Sequence, residues 1–384
     1  MAQTDLTTIL PCRSCGAALP GKPLLKFEKM PATAQYLSAV ATRENCVDFS
    51  VFQCPKCGLV QLDCPPVPYY REVIRAAAVS PEMHDFRLQQ FKEWLAKNDL
   101  NGKRVLECGC GKGEFLEVMN LAGADGYGIE YGEESFQACL AKGLKVERCY
   151  FEEGNEKITS APFDGFYILN YLEHIPDLTA YLQGIYNNLS ERGCGLVEVP
   201  NFDMMIANNT FAEFMTDHLY YFTASSLRSL LERNGFEVIS EKTVWYNYIL
   251  SFEVRKRPAL DLGSFNQACS ALSGQLQALV KQHGSERTAV WGASHQAFAL
   301  LALAGLHGKV RCIIDSAPFK QGKFSPATAI PIVPPESVAP GDIDLLIVMA
   351  GGYSDEVAKI ARKKFGAQLK ISILRENKLE VLPQ

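Results

Sequence analysis

Four cysteines near the N-terminus have the spacing of metal ligands. They form two Cys-x-x-Cys pairs, each followed by glycine: Cys12 with Cys15, and Cys54 with Cys57. Two such turns can hold four thiolates around one tetrahedral zinc ion, and four protein ligands leave no open position for a substrate. A pair of redox motifs is the alternative, but one Cys-x-x-Cys is enough for redox chemistry, and neither pair lies at a predicted strand-to-helix step. We therefore predict a structural zinc site.

A glycine-rich loop lies between a predicted strand and a predicted helix. In VLECGCGKGEF the glycines are Gly109, Gly111 and Gly113, and Glu107 precedes them. Glycines let the backbone approach a ligand at the carboxyl end of a parallel strand. A second acid, Glu130, lies on the next predicted strand about twenty residues further on, where a carboxylate can hold both ribose hydroxyls. These residues predict a site for a nucleoside cofactor.

The first residue of the following helix distinguishes between two kinds of cofactor. A dinucleotide fingerprint requires a small residue five positions after the first glycine, and here that residue is Glu114. A carboxylate at this place would repel a pyrophosphate at the N-terminus of the helix. A cofactor that has a cationic sulfonium and no phosphates is compatible with it, so the loop disfavours NAD.

A histidine beside an acid lies in an aromatic stretch at residues 214–223, FMTDHLYYFT. His218 could take a proton from carbon, or it could be a packed histidine in an aromatic patch. Asp217 precedes it, and neighbours on a strand point to opposite faces, so Asp217 need not orient the ring. Tyr220 and Tyr221 could bind a developing oxyanion or stack on a substrate, or they could line the core or the cleft.

Three stretches of different texture must position these candidates. Residues 1–75 are rich in Cys, Pro and Gly and contain short alternating strand patterns. Residues 76–257 alternate apolar strands with amphipathic helices, which predicts a parallel sheet covered by helices. A smaller alternation at residues 258–384 predicts a second Rossmann-like unit. We therefore expect an α/β protein with three domains at these boundaries.

The composition excludes several classes of protein. The 384 residues carry a net charge of −5, which disfavours a general nucleic-acid binder with a basic face. There is no run of about 18 apolar residues that would span a membrane, and the first residues lack the pattern of a secretory signal. The odd count of 13 cysteines indicates thiols and metal ligands instead of a disulfide framework. We expect a cytoplasmic protein, monomeric or homodimeric, that acts on a small molecule and binds neither nucleic acid nor membrane.

The order of acid, glycines and second acid resembles the class I S-adenosylmethionine-dependent methyltransferases. This resemblance implies that Glu107 and residues 109–113 border the methionine part of the cofactor and that Glu130 holds its ribose. A later motif of the family is also present as FDGFYILNYLEHIPDL followed by GLVEVPNF. By the same resemblance Asn170 ends the strand under the methionine, and His174 at the start of the next helix is a structural residue. The expected fold is the class I methyltransferase Rossmann-like sheet.

The order of the whole chain resembles the sugar C-methyltransferases that act on nucleotide-linked deoxysugars. These combine an N-terminal zinc domain, a methyltransferase domain and a C-terminal Rossmann-like α/β domain, which we expect to bind substrate. In the last segment the resemblance rests on AVWGASHQAF and on IIDSAPFKQGKFSPATAIPIVPPE. It implies that Gly292 lets the backbone approach a ligand, that Asp315 ends a strand, and that Lys320 or Lys323 meets a phosphate. His295 stands where the family often has a lysine nearby. The alternative for the lysines is a solvated surface.

The stretch around His218 occupies the place of this family's Tyr-x-Glu-His motif. His218 is kept, but Asp217 replaces the glutamate and Met215 replaces the tyrosine. The resemblance implies that His218 removes a proton next to a ketone and that the resulting enolate attacks the sulfonium methyl. Because the departures fall on the substrate side, methylation of oxygen or nitrogen in another small metabolite is an alternative. A nucleotide-binding scaffold without turnover is a further one.

Overall fold

The computed structural model describes residues 10–35, 45–72 and 79–383 of the chain. The chain divides into two compact units, Met1–Pro258 and Ala259–Gln384. The boundary that the sequence predicts between the first two segments, at residues 75 and 76, lies outside the described residues. Every helix in the described ranges is too short or too polar to cross a membrane.

The first unit is built from strands and helices that alternate along most of its length. Its strands are β1 (Leu25–Pro31), β2 (Cys46–Gln53), β3 (Val60–Leu62), β4 (Arg104–Cys108), β5 (Asp125–Glu130), β6 (Val146–Arg148), β7 (Phe163–Leu169), β8 (Leu189–Pro200), β9 (Tyr220–Tyr221), β10 (Phe236–Val244) and β11 (Ile249–Lys256). Its α-helices are α1 (Pro81–Lys97), α2 (Glu114–Ala122), α3 (Glu133–Ala141), α4 (Leu178–Asn187), α5 (Phe202–Asn208) and α6 (Ala224–Arg233).

The larger sheet of this unit has the order β10-β11-β8-β7-β4-β5-β6. The strands from β8 to β6 are parallel, whereas β11 and β10 join them in antiparallel orientation. Val105 and Leu106 are neighbours on β4, yet they belong to two different apolar clusters. Successive side chains of a strand point to opposite faces, so the sheet is covered on both. The predicted parallel, helix-covered α/β sheet is confirmed.

A smaller sheet has the order β1-β2-β3-β9. Its first three strands come from the cysteine-rich segment, but β9 comes from the aromatic stretch that contains His218. Tyr221 pairs with Val60 and Tyr220 with Gln61 in antiparallel register, and the Leu62 amide donates to the Leu219 carbonyl at 3.0 Å. The position of His218 is therefore fixed by residues that follow the second cysteine pair.

A buried ion pair connects α1 to the larger sheet. Arg87 on α1 is 1% exposed and contacts the carboxylate of Glu198 on β8, which is fully buried. Gln90 completes the group, because its amide donates to Glu198 at 2.5 Å and its carbonyl accepts from Arg87 at 2.7 Å. Buried charges are tolerated only when they are paired and hydrogen-bonded, and this arrangement meets both conditions.

The second unit is a smaller α/β sheet. Its order is β14-β13-β12-β15-β16-β17, and all neighbours are parallel except β16 and β17. The chain leaves β12 toward one edge and returns to β15 on the other side, which creates a switch point of the kind where open sheets bind ligands. Its elements are α7 (Gly263–His283), β12 (Thr288–Trp291), α8 (His295–Leu303), β13 (Cys312–Ile314), β14 (Ile332–Val333), β15 (Leu345–Val348), α9 (Ser354–Phe365), β16 (Lys370–Arg375) and β17 (Lys378–Val381).

Candidate active site

A cavity of about 320 Å³ opens beside β7 in the first unit. It brings together the cysteine-rich segment, the residues that follow β7 and the stretch before β9. Its lining mixes aromatic rings with titratable groups, as ligand sites commonly do. The lining residues are Ala34, Gln35, Val67, Tyr69, Tyr70, Glu72, Asn170, Tyr171, His174, Glu213, Met215, Asp217, His218 and Tyr248.

His218 lies on the wall of this cavity and is half-buried. Burial, with a smaller contribution from His174, lowers the pKa of His218 to about 3. The ring is therefore neutral near pH 7, and a neutral imidazole has a lone pair that can accept a proton. Its nitrogens make no hydrogen bond to any protein group within the described residues. The structure thus presents a neutral imidazole to whatever occupies the cavity, and the burial that keeps it neutral also makes it a weaker base than an imidazole in water.

His174 lies against His218 and is held by the backbone. The two rings meet edge to face, with centroids 4.8 Å apart, and His174 Nδ1 donates to the Asp217 carbonyl at 2.7 Å. Glu173 is 1% exposed, and burial raises the pKa of its carboxyl to about 8. One of its oxygens, Oε2, has no hydrogen-bond partner in the described part of the chain. The prediction of a structural role agrees with the hydrogen bond of His174, but His174 also faces the cavity.

Asp217 organises the cavity and does not contact the ring of His218 through a hydrogen bond. Its carboxylate accepts from the Tyr69 hydroxyl at 2.9 Å and from the Ala34 amide at 3.2 Å. Both donors belong to the cysteine-rich segment. Asp217, which stands at the place of the glutamate in the family's motif, therefore ties that segment to the wall of the cavity and has a positioning role instead of a catalytic one.

Tyr220 and Tyr221 are core residues, in contrast to the predicted contact with substrate. They are 1% and 3% exposed, and neither lines the cavity. The Tyr220 hydroxyl donates to the Pro176 carbonyl at 2.7 Å, and the Tyr221 hydroxyl accepts from the Met215 amide at 2.9 Å. Tyr220 and Tyr221 point to opposite faces of the sheet that β9 forms with β3. Both are buried because the protein covers both faces at this place. Their hydroxyls stabilise the stretch that carries His218.

The predicted cofactor residues converge at the carboxyl ends of β4, β5 and β7. The Glu130 carboxylate accepts from the amides of Gly111 and Gly132, each at 2.8 Å, and the Gly109 amide donates to the Ile129 carbonyl at 3.1 Å. Glu107 accepts from the Tyr167 hydroxyl at 3.0 Å. The two carboxylates and the glycine turn suit a cationic cofactor that carries ribose hydroxyls, and they do not suit a pyrophosphate.

Asn170 is the predicted cofactor residue that lines the cavity. It ends β7 with a φ of 48°, in the left-handed region that asparagine tolerates better than most residues. The cofactor loop and the cavity with His218 therefore share one edge of the sheet.

Several cavity residues carry no local sequence signal. Tyr248 donates to the Glu213 carboxylate at 2.9 Å, and both line the cavity although neither belongs to a motif. The adjacent aromatic pair of Tyr69 and Tyr70, which ends the stretch PPVPYY with its three prolines, is the signal that could have indicated a functional segment. Arg71 follows this pair and stacks over the Tyr131 ring at 5.3 Å, next to Glu130.

Replacing Gly113 with alanine should lower the affinity for S-adenosylhomocysteine by about tenfold, because the loop that holds the cofactor would move. Gly113 has a φ of 82°, and an added Cβ would lie 2.3 Å from Leu144 Cδ1. A left-handed alanine costs about 1–2 kcal/mol, and relaxation of this strain displaces the turn before α2. Calorimetric titration with S-adenosylhomocysteine measures the effect.

Gly143 provides the matched control for this substitution. Its φ of 73° is similar, but an added Cβ would meet no atom within 4 Å, and it lies outside the glycine loop. The G143A variant should lose a comparable amount of stability and keep the affinity of the wild type. Equal affinities of the two variants would contradict a role of the loop in binding.

The four predicted metal ligands lie together. The sulfurs of Cys12, Cys15, Cys54 and Cys57 are all within 4.8 Å of one another, with Cys12 to Cys57 at 3.6 Å and Cys15 to Cys54 at 3.5 Å. Tetrahedral zinc with bonds of about 2.3 Å separates its sulfurs by about 3.8 Å. The Lys56 amide approaches the Cys54 sulfur at 3.4 Å, as expected where a turn surrounds a thiolate. The four side chains therefore fit a zinc ion.

The predicted substrate-binding residues of the second unit differ in how closely other protein groups already contact them. Gly292 has a φ of 117°, and an added Cβ would lie 2.5 Å from the Met349 carbonyl oxygen. Glycine is required here because the backbone that follows β15 passes close to it. The family resemblance attributes this glycine to the close approach of a ligand instead. Lys320 donates to the Ala293 carbonyl at 2.9 Å and pairs with Asp315 at 3.2 Å. An internal partner makes Lys320 less available for a phosphate than the sequence predicts.

Lys323 and His295 are both exposed. His295 is the first residue of α8, whose N-cap Ser294 accepts from the Ala297 amide at 3.2 Å. Both side chains lie in the part of the second unit that follows β12 and β13, and they remain available to a ligand.

Comparisons with known proteins found two family models, several curated relatives and several solved structures that are similar to this chain. Residues 81–241 match the family described as methyltransferase domain, and residues 261–373 match the C-methyltransferase C-terminal domain. C-methyltransferase NovU of Streptomyces niveus is 28% identical over 289 residues, which cover 67% of this chain and 68% of that protein. A ubiquinone biosynthesis O-methyltransferase of Bordetella avium is 37% identical over 92 residues, 22% of this chain and 38% of its own. The PH0226 structure from Pyrococcus horikoshii covers 50% of this chain and 99% of its own, with 14% identity and a TM-score of 0.40.

Proposed function

We propose that this chain methylates a carbon next to the ketone of a nucleotide-linked deoxysugar. The proposal proceeds from its family, because the chain belongs to the S-adenosylmethionine-dependent C-methyltransferases. The observation that carries the proposal is His218, a neutral imidazole on the wall of the cavity without a hydrogen bond to the protein in the described ranges. A carbon acid needs such a base, whereas transfer to an amine needs none.

In this mechanism His218 takes the proton from the carbon beside the ketone. S-adenosylmethionine supplies, when bound, an electrophilic methyl group on a cationic sulfonium. The electron pair left on the substrate forms the new carbon–carbon bond as the carbon–sulfur bond breaks. His174 packs against the base at 4.8 Å between ring centroids, and the Asp217 carboxylate, next to the base in sequence, accepts a hydrogen bond from Tyr69 at 2.9 Å. These contacts fix the ring where a bound substrate can reach it, which raises the rate through orientation.

Methyl transfer and proton removal can be measured separately. The protein is incubated with nucleotide-linked 4-ketosugars and labelled S-adenosylmethionine, and product label is counted. A second reaction in deuterium oxide, with S-adenosylhomocysteine in place of the methyl donor, measures exchange at the substrate carbon. We expect label transfer and exchange at the same carbon. Transfer without any exchange would contradict carbon methylation and leave the family membership intact.

Methylation of oxygen or nitrogen is the second candidate. It is favoured by Met215, which lines the cavity where the resembling sugar enzymes have a tyrosine, and by the partial match to an O-methyltransferase. A heteroatom acceptor needs no carbon acid, so it predicts label transfer with no deuterium at carbon. The same pair of experiments therefore separates the two candidates.

For the nucleotide part of the substrate, Lys323 and His295 are the candidates in the second unit. Both are exposed. His295 follows β12, which borders the switch point of the sheet, and Lys323 follows β13, the next strand outward. Lys320 contributes less in this proposal, because Asp315 and the Ala293 carbonyl already occupy its ammonium group.

We further propose that the four cysteines hold a structural zinc ion. Replacing Cys54 with serine should reduce the zinc content from about one ion per chain to nearly none, since one thiolate of a closed site is lost. Methyl transfer should fall as well, because β3 follows the second cysteine pair and β9 next to His218 pairs with β3. Metal analysis after gel filtration measures the content.

Cys46 is the matched control for the zinc experiment. It is an exposed thiol in the same segment and lies outside the group of four sulfurs. The C46S variant should keep both its zinc and its activity. Zinc contents that are alike in C54S and C46S would refute the assignment of ligands.

A further inference from the structure

A second group of metal-ligating side chains lies at the wall of the cavity in the first unit, where His174 and His218 line the cavity and Glu173 is buried. Glu173, His174 and His218 each offer one ligand atom, and these atoms all lie within 4.8 Å of one another. The first two belong to the turn after β7, and the third comes from the stretch before β9. The group is separate from the four cysteines and contains no thiolate.

The histidine of the turn is oriented as metal-binding histidines usually are. His174 Nδ1 donates to the Asp217 carbonyl at 2.7 Å, so the proton is on Nδ1 and the lone pair on Nε2. A hydrogen bond from the other ring nitrogen to a carbonyl is the common support of a metal-bound imidazole. Nε2 lies 4.0 Å from Glu173 Oε1, so the unprotonated nitrogen and the carboxylate are close enough for one ion to bind both.

Glu173 is the second independent observation. Its side chain is 1% exposed, and Oε2 has no hydrogen-bond partner among the described residues. A buried carboxylate oxygen without a partner is costly, and a cation would satisfy it. The ring nitrogens of His218 are likewise without a protein hydrogen bond in that part of the chain.

The donor set selects the class of ion. Two imidazoles and one carboxylate suit zinc, cobalt and ferrous iron, whereas magnesium and calcium prefer oxygen ligands. Bonds of about 2.0–2.2 Å place ligand atoms about 3.4 Å apart in a tetrahedral site. The present separations, within 4.8 Å, exceed that value, so binding would draw the three side chains closer together, and the adjoining cavity has room for a water molecule as fourth ligand.

We propose that Glu173, His174 and His218 form a second metal site, which binds a divalent transition-metal ion such as Zn²⁺ and prevents methyl transfer while it is filled. The inhibitory part rests on the proposed function, because the lone pair of His218 can take a proton or a metal ion but not both. Metal binding itself does not depend on that function. The cavity would thus have two mutually exclusive occupants at one nitrogen.

Cobalt absorption tests the site directly. The protein with its four-cysteine site loaded with zinc is titrated with Co²⁺, and the weak visible bands of cobalt with nitrogen and oxygen ligands are recorded. Wild type should bind about one further ion per chain. E173Q, which keeps the shape of the side chain, and H218A should each weaken that binding by at least about tenfold. A cobalt spectrum in which the wild type and both variants are alike would overturn the proposal, as would a wild type that binds no further ion.

His84 supplies the matched control. It forms an exposed pair with Asp85, with His84 Nδ1 at 3.2 Å from the carboxylate, so it is a histidine next to an acid that has no third ligand. H84A should bind cobalt as the wild type does. Loss of the second ion in H84A would place the site at the surface and contradict the proposal.

The inhibitory effect is measured as the Zn²⁺ concentration that halves methyl transfer, with each variant compared to its own rate without added metal. This concentration should rise by at least about tenfold in E173Q. If H218A loses cobalt binding but keeps full transfer, the base assignment fails and the metal site stands. If H218A loses transfer while the wild type binds no second ion, the metal site fails and the base assignment stands.

Discussion

Replacing His218 with alanine should lower the turnover number for methyl transfer by about 10²–10⁴-fold, the usual contribution of a positioned general base. The ring lies on the cavity wall, is neutral near pH 7 and has no protein hydrogen bond to lose within the described residues. The loss should therefore appear in catalysis, with little effect on the free energy of unfolding. Turnover with saturating S-adenosylmethionine and ketosugar, followed by product label, measures it.

The asparagine variant at the same position sharpens this test. H218N keeps polarity and part of the volume but has no basic nitrogen, so it should be as slow as H218A. Deuterium exchange at the substrate carbon should fall by the same factor as transfer, since both need proton removal. Binding of S-adenosylhomocysteine should be unchanged in both variants. Turnover equal to that of the wild type would show that another group, or none, removes the proton.

Replacing Arg87 with alanine should destabilise the first unit by about 3–5 kcal/mol, because it leaves the fully buried carboxylate of Glu198 without its cation. Gln90 keeps its hydrogen bond to the same carboxylate at 2.5 Å, but a neutral amide does not compensate a buried charge. Denaturant unfolding, followed by a probe in the first unit, measures the free energy of unfolding.

Two further variants separate charge from packing in this prediction. The double replacement of Arg87 and Glu198 by leucine removes both charges and should be less destabilised than R87A alone, since buried ion pairs exchange for apolar residues at little cost. R228A removes an exposed pair with Glu232 and should cost less than about 1 kcal/mol. Equal losses of unfolding free energy in R87A and R228A would contradict the expectation that a buried ion pair contributes more than an exposed one.

Local patterns were sufficient to predict which residues the ends of neighbouring strands bring together. The glycine loop, Glu130 and Asn170 lie at the carboxyl ends of β4, β5 and β7, which are adjacent in the sheet, and the period of the apolar residues predicts those strands. The four cysteines were equally accessible to prediction, because a tight turn places two thiols three positions apart on one side of the backbone.

Contacts between segments that are distant in sequence could not be predicted from local patterns. Tyr69 reaches Asp217 across more than a hundred residues, and nothing in either local pattern indicates it. Tyr220 and Tyr221 show the opposite error. Because they follow His218 closely, the sequence predicts a role in binding for them. The pairing of β9 with β3 buries both of them instead. Alternation along a strand places side chains on two faces, and only the tertiary fold decides whether either face meets solvent.

Gly292 in the second unit shows the same limit of prediction from local sequence, in this case for a backbone contact. Gly292 follows β12 in a left-handed conformation, as a ligand-binding turn would require. The atom that excludes a side chain there is the Met349 carbonyl oxygen, which belongs to the protein itself. A glycine at the end of a parallel strand therefore indicates close approach, and the sequence does not tell whether the approaching group is a ligand or a neighbouring strand.

The strand β9 also affects how the protein is made. Residues leave the ribosome from the N-terminus, so β1, β2 and β3 are available long before Tyr220 and Tyr221 have been synthesised. Until then β3 lacks its outer neighbour, although Val60, Gln61 and Leu62 are all buried in the finished protein. An unpaired edge of this kind can join to another chain. The nascent protein thus exposes this edge while its middle segment is being translated, and His218 reaches its place only when β9 has paired with β3.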